Sequence, residues 1–163
     1  MNKETQYIIK SFESTLSGQP WFGRAVYEIV EEANESKVHT KPNGTEHSMI
    51  ELLWHMNTWA GFVLGSLENK TVDEMKAIEA NDWREIDPKT HTWKKGLEQL
   101  KSTHKKITEL LSQKDDRFLG EIVPLRKFRP MKLGGWARPV ARIAQASARQ
   151  YSEGLCHAIA IIE

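Results

Sequence analysis

The sequence has little of several features that would assign a chain to a special class of protein. Only one of its 163 residues is a cysteine, Cys156, so no disulfide bond can form within the chain. No stretch approaches the roughly 18 consecutive apolar residues of a membrane-spanning helix. The first residues also lack the basic-then-apolar pattern of a signal peptide. We therefore expect a cytoplasmic protein with no membrane partner.

Net charge is also nearly absent, because 23 basic residues are balanced by 22 acidic ones. This balance, and the lack of a recognisable DNA-binding motif, predict no nucleic-acid partner. No glycine-rich phosphate loop and no Ser-His-Asp signature is present. Charge is uneven along the chain, since five of the eight arginines lie within residues 126–163. That basic segment is either a solvated helix face or a patch for an anionic ligand.

Helical periodicity is the main structural signal of the sequence. Four long segments place apolar residues three and four positions apart. They run from about residue 4 to 16, 48 to 69, 90 to 112, and 138 to the end. Shorter helices are predicted at 23–33 and after Thr71, with Glu74 as its capping partner. Long helices joined by long connections predict one all-α domain over residues 1–163, a four-helix bundle with crossover connections.

Each long helix has an apolar stripe that we expect to form the core. In the first helix the stripe is Tyr7, Ile8, Phe12 and Leu16. In the second it is Met49, Leu52, Leu53, Met56, Ala60, Val63, Leu64 and Leu67, after a capping box of Ser48 and Glu51. In the third it is Trp93, Leu97, Leu100, His104, Ile107 and Leu111. Gly61 and Gly65, four residues apart, predict close helix packing.

The six histidines differ in their predicted roles. His39, His47 and His91 flank loops or helix starts, where surface or capping roles are expected. His104 interrupts an apolar seam, which is typical either of a hydrogen-bonded core histidine or of one partly exposed at a bundle end. His55 lies beside the apolar stripe of the second helix, near aromatic residues.

His157 follows Glu153 by four residues, so a helix places both side chains on one face. The pair is either an ordinary surface charge pair or two ligands of one metal ion. Together with His55 they would provide two histidines and one carboxylate, a set that leaves coordination positions open for substrate. Cys156 points about 100° away from His157 and is expected to be a small buried apolar residue.

Three segments resemble the DinB-like family. Residues 48–59, SMIELLWHMNTW, resemble the family's second helix, in which a histidine follows an apolar run and precedes an aromatic residue. Residues 17–23 resemble the turn after the first helix, and residues 120–124 resemble the segment before the last helix. The resemblance covers about residues 1–125, with helix order and lengths in agreement.

This resemblance implies a four-helix bundle, often a homodimer, with a divalent metal ion such as zinc or nickel in a cleft. Some relatives are thiol-dependent transferases or isomerases that act on small molecules. The family holds its metal with three histidines, and His55 matches the one on the second helix. The other two form a His-x-x-x-His pair, which this chain lacks.

Two alignments of the last helix remain open. One places Glu153 and His157 at the positions of the missing pair, and the other places Tyr151 and Leu155 there, which leaves no functional metal site. The sequence therefore supports two hypotheses. The chain is either a metal-dependent enzyme of this family or a metal-free bundle that binds a small ligand or a protein partner.

Overall fold

A computed structural model describes residues 3–20, 23–41 and 46–118 of the chain. This part contains five α-helices and no strand, which confirms the all-α prediction. The helices are α1 (Lys3–Ser17), α2 (Val26–Glu31), α3 (Met49–Leu67), α4 (Val72–Glu79) and α5 (Trp93–Ser112). The predicted last helix, from about residue 138, lies outside the described residues.

Helix α1 buries a stripe that differs from the predicted one at its beginning. Ile8, Phe12 and Leu16 are buried as expected, but Tyr7 is 66% exposed, so its assignment to the core was wrong. Thr5 is buried instead, and its backbone N–H and Oγ1 both donate to Asp116 Oδ1 at 2.9 Å. Asp116 follows α5 and binds the first turn of α1, where unpaired N–H groups attract an anion.

Helix α3 is the central element and packs against both α4 and α5. Its predicted capping box is present: Glu51 Oε2 accepts from the Ser48 N–H at 2.6 Å, and Ser48 Oγ accepts from the Glu51 N–H. The predicted stripe is buried except for Leu52 and Leu64, which are half-buried. Burial also extends to Trp54 and Phe62, as expected of a helix covered on several sides.

Helices α3 and α5 approach closely at a glycine. A Cβ atom at Gly96 would lie 2.8 Å from Leu53 Cδ2, so the backbone of α5 rests directly on a side chain of α3. The Asn57 side-chain amide donates to the carbonyl oxygens of Leu53 and Gly96, each at 2.9 Å. The predicted seam of α5 is confirmed, with only Leu97 half-buried.

Helix α4 begins with the predicted capping box of Thr71 and Glu74. It packs on α3 at Gly65, where a Cβ atom would lie 3.0 Å from Met75 Sδ and 3.2 Å from Ile78 Cδ1. The close packing predicted for the α3 glycines is therefore confirmed at this position. This packing also places the turn that follows α4 against α3.

His104 lies in the core between α1, α2 and α5. It is 4% exposed, its ring packs edge-on against Phe12, and its Nδ1 is 2.9 Å from the Tyr27 hydroxyl. The structure thus selects the hydrogen-bonded core histidine from the two roles left open by the sequence. Burial lowers the pKa of His104 to about 4.

Among the helices of the described segments, none combines the length and the apolarity that crossing a membrane requires.

Candidate metal centre at His55

His55 lies on α3, on the flank of the helix that faces α4 and the turn after it. Its side chain is about one-fifth exposed, and its ring centroid is 6.3 Å from that of Trp59, one helical turn later. The sequence placed this imidazole beside the apolar stripe among aromatic residues, and the structure confirms that position.

Asp82 is the hydrogen-bond partner of His55. It lies in the turn after α4, and its Oδ1 is 2.5 Å from His55 Nδ1. The same carboxylate accepts from the Trp83 backbone N–H at 3.1 Å and from Trp59 Nε1 at 3.2 Å. Its side chain is only 18% exposed, so three nitrogen atoms surround a partly buried carboxylate.

Trp83 supplies the aromatic contact that covers the His55 ring. Its backbone has a positive φ of 49°, which lies in the left-handed region that residues with large side chains rarely adopt. The indole stacks on His55 with centroids 4.0 Å apart and planes 19° apart, and it also stacks with His47 at 3.8 Å. A left-handed backbone at a bulky residue is a feature that clusters at functional sites.

Arg84 anchors the same turn to α3 at a second point. Its Nη2 donates to Thr58 Oγ1 at 2.7 Å, its Nε donates to the Asn81 carbonyl at 3.0 Å, and its guanidinium lies over the Trp54 ring. Desolvation lowers the pKa of Arg84, an effect opposed by the charge of Asp82. The turn is therefore fixed to α3 on both sides of His55.

The second nitrogen of His55, Nε2, has no hydrogen-bond partner among the described residues. An imidazole with Nδ1 bound to a carboxylate and Nε2 open has the arrangement found in metal-ligating histidines. Within the described segments, no three His, Cys, Asp or Glu side chains come together as a metal-binding group. Of the three predicted ligands, His55 is the one that lies in the described part of the chain.

The other predicted ligands, Glu153 and His157, lie outside the described residues, as do Cys156, Tyr151 and Leu155. Their predicted roles, and the choice between the two alignments of the last helix, therefore stay predictions. The arginine-rich segment from residue 126 also lies outside the described part of the chain.

The three loop histidines have the local roles expected of them, with one addition. His39 is exposed, and His91 Nδ1 accepts from the Asp87 N–H at 3.0 Å just before α5. His47 does more than flank a loop, because its ring stacks on Trp83 beside the candidate site.

Asp82 and Trp83 were missed by the sequence reasoning. They lie in the connection between the second and third long helices, for which only a short helix after Thr71 was predicted, and Asp82 is 27 residues away from His55 in sequence. The available signal was an acidic residue followed by an aromatic one next to a helix end. This signal does not indicate that the acidic residue contacts His55.

These features define an all-α bundle protein with a candidate metal-binding histidine on its central helix. The profile of the DinB superfamily matches residues 22–142, about three-quarters of the chain, so the chain belongs to the DinB superfamily. The matched region includes His55 and Asp82 and ends before Glu153. No curated protein and no solved structure matches the chain significantly.

Proposed function

We propose that this chain is a divalent-metal-dependent enzyme that acts on a small molecule by nucleophilic transfer or hydrolysis. The observation that carries the proposal is the contact between His55 Nδ1 and Asp82, which leaves Nε2 open. Membership of the DinB superfamily supports it, and the resemblance of residues 48–59 to the family's second helix predicts that His55 takes the place of its metal-binding histidine.

The residues fit a borderline metal ion. An imidazole nitrogen is a preferred ligand of zinc and nickel, and a carboxylate on its second nitrogen raises its basicity. In the proposed site Glu153 and His157 complete the ligand set with His55. Two histidines and one carboxylate leave positions free for a substrate or a thiol.

A bound divalent ion would supply Lewis-acid chemistry that activates a thiol or a water molecule as a nucleophile. The residues of the chain contribute orientation and partial exclusion of water. Asp82 holds the His55 ring, while Trp59 and Trp83 line one side of it with apolar surface. Such a partly desolvated wall strengthens electrostatic interactions with the substrate.

A second candidate function is a metal-free module that binds a small ligand or a protein partner. One observation favours it: the sequence lacks the family's His-x-x-x-His pair. A homodimer and a cytoplasmic location are compatible with both candidate functions and belong to the proposal.

Metal content of the purified, tag-free protein tests the proposal. We expect about one equivalent of zinc or nickel per chain by elemental analysis, because the chain would provide one set of three ligands. His55→Ala should lose this metal, whereas His39→Ala, which removes an exposed loop histidine, should retain it. Glu153→Ala and His157→Ala should each lower the content if both are ligands.

Absence of metal in the wild-type protein, also after incubation with zinc or nickel, would contradict the enzyme proposal and favour the binding module. Equal metal content in wild type and His55→Ala would place the metal elsewhere. Retention of metal by both Glu153→Ala and His157→Ala would reject their assignment as ligands.

A further inference from the structure

We infer that Asp82 is a positioning residue that fixes the tautomer and the ring orientation of His55, so that Nε2 presents its lone pair to a metal ion. The inference rests on the proposed function for its metal role. The site then includes a residue of the turn after α4 in addition to the histidine on α3.

The hydrogen bonds around Asp82 determine where the proton of His55 lies. The Trp83 backbone N–H and Trp59 Nε1 are donors only, and both point at the carboxylate. An ionised carboxylate has no proton of its own to donate, so it accepts from His55 as well. The imidazole proton is therefore on Nδ1. The neutral ring then carries its free lone pair on Nε2.

Two contacts at different parts of the ring fix its orientation. Asp82 holds the edge at Nδ1, and the Trp83 indole holds the plane, with the two rings 19° from parallel. A tilt of the imidazole out of this plane would break the stacking contact, and a half-turn that keeps the plane would break the hydrogen bond. The backbone of Trp83 is in turn bound to the Asp82 side chain, so one turn provides both restraints.

The carboxylate itself is poorly suited to be a metal ligand. Oδ1 accepts from two donors and Oδ2 from a third, so three of the about four lone-pair sites of the carboxylate are already used. We therefore assign to Asp82 a role through His55, not as a ligand.

A merely structural role for Asp82 would consist of tying the turn to α3. The chain offers a matched control for this alternative, because Thr58 ties the same turn to the same helix. Thr58 Oγ1 accepts from Arg84 Nη2 at 2.7 Å and lies 3.3 Å from the Asn81 carbonyl. Thr58→Val removes this second anchor and leaves the contact between His55 and Asp82 untouched.

The experiment compares wild type, Asp82→Asn and Thr58→Val by two measurements. The first is the ¹⁵N chemical shifts of the His55 ring in metal-free protein, which report its tautomer, with His55→Gln to assign the signals. The second is zinc affinity by competition with a chromophoric chelator. Circular dichroism shows whether each variant is folded.

We expect wild type and Thr58→Val to have the Nδ1–H tautomer of His55, and Asp82→Asn to lose its predominance. Zinc affinity should fall roughly 10- to 100-fold in Asp82→Asn, the usual effect of removing an outer carboxylate. It should change much less in Thr58→Val. This pattern supports the inference.

An Nε2–H tautomer in wild type, or an unchanged tautomer in folded Asp82→Asn, would overturn the inference whether or not the protein binds zinc. Equal losses of zinc affinity in Asp82→Asn and Thr58→Val would show that Asp82 only ties the turn to α3. A wild-type protein with the Nδ1–H tautomer that binds no zinc would instead overturn the proposed function and the metal role of Asp82.

Discussion

The buried histidine of α5 makes a quantitative prediction about stability at acid pH. His104 is 4% exposed and packs between Phe12 and Tyr27, and burial lowers its pKa from 6.5 to about 4. The Tyr27 hydroxyl also stays protonated, since its own desolvation raises its pKa. A protonated phenol and a neutral imidazole form a satisfied pair in the core.

The sign of the pH effect follows from proton binding in the two states. As the pH falls below 6.5, the unfolded chain binds a proton at His104 that the folded chain does not bind until about pH 4. Stability is therefore lost as the pH falls through this window. The whole difference corresponds to about 3 kcal/mol, and about 2 kcal/mol of it is lost between pH 7 and pH 5.

Urea unfolding followed by circular dichroism near pH 7 and near pH 5 measures this loss. The informative variant is His104→Leu combined with Tyr27→Phe, which removes both polar groups and leaves no unpaired hydroxyl. Its loss of stability between the two pH values should be smaller than that of wild type by about 2 kcal/mol. His39→Ala, at an exposed position, should behave as wild type.

Carboxylates that titrate in this range are common to all these proteins, so the comparison isolates the histidine. The reasoning is refuted if the double variant and the wild type lose the same free energy of unfolding between the two pH values. It is also refuted if the His104 ring titrates in the folded protein near 6.5 by NMR.

Two further predictions concern packing and capping. Gly96→Ala should destabilise the protein by about 1 kcal/mol in urea unfolding, because its Cβ would lie 2.8 Å from fully buried Leu53 and overpacking outweighs the gain in helix propensity. Gly61→Ala is the matched control and should stabilise by up to about 1 kcal/mol, since its nearest atom would be 3.9 Å away; equal effects would refute the packing argument. Asp116→Asn should lower the urea midpoint at neutral pH, because hydrogen bonds from the Thr5 backbone and side chain lower the pKa of this carboxyl. Its stabilising effect is present above the unfolded pKa of 3.8 and is lost as the pH falls through the lower folded pKa. A difference from wild type that did not shrink as the pH falls below 3.8 would contradict this role.

The described helices could be predicted from the sequence because their signals are local. The capping boxes at Ser48 and Thr71 lie within four residues of the backbone groups that they satisfy. The error at Tyr7 arose because it adjoins Ile8 on the helix surface, and periodicity alone does not decide which edge of a stripe is covered. The contact on the buried edge of the helix is made to Thr5 by Asp116, which is 111 residues away in sequence.

Within the described residues, the candidate site was predictable only at His55. The contact with Asp82 depends on the length of α4, on the packing of α4 against Gly65, and on the positive φ of Trp83. None of these has a signature in the residues around His55. The partner of a functional histidine is a tertiary property, whereas its place on an amphipathic helix is a local one.

The packing of α4 and the chemistry of the site are consequently linked. Gly65 lets α4 approach α3, and the turn that ends α4 then delivers Asp82 to His55. Arg84 ties the same turn to α3 through Thr58, in a contact separate from the one between Asp82 and His55. A short helix with few buried residues of its own thereby acquires a defined position, and that position is what orients the imidazole on the central helix.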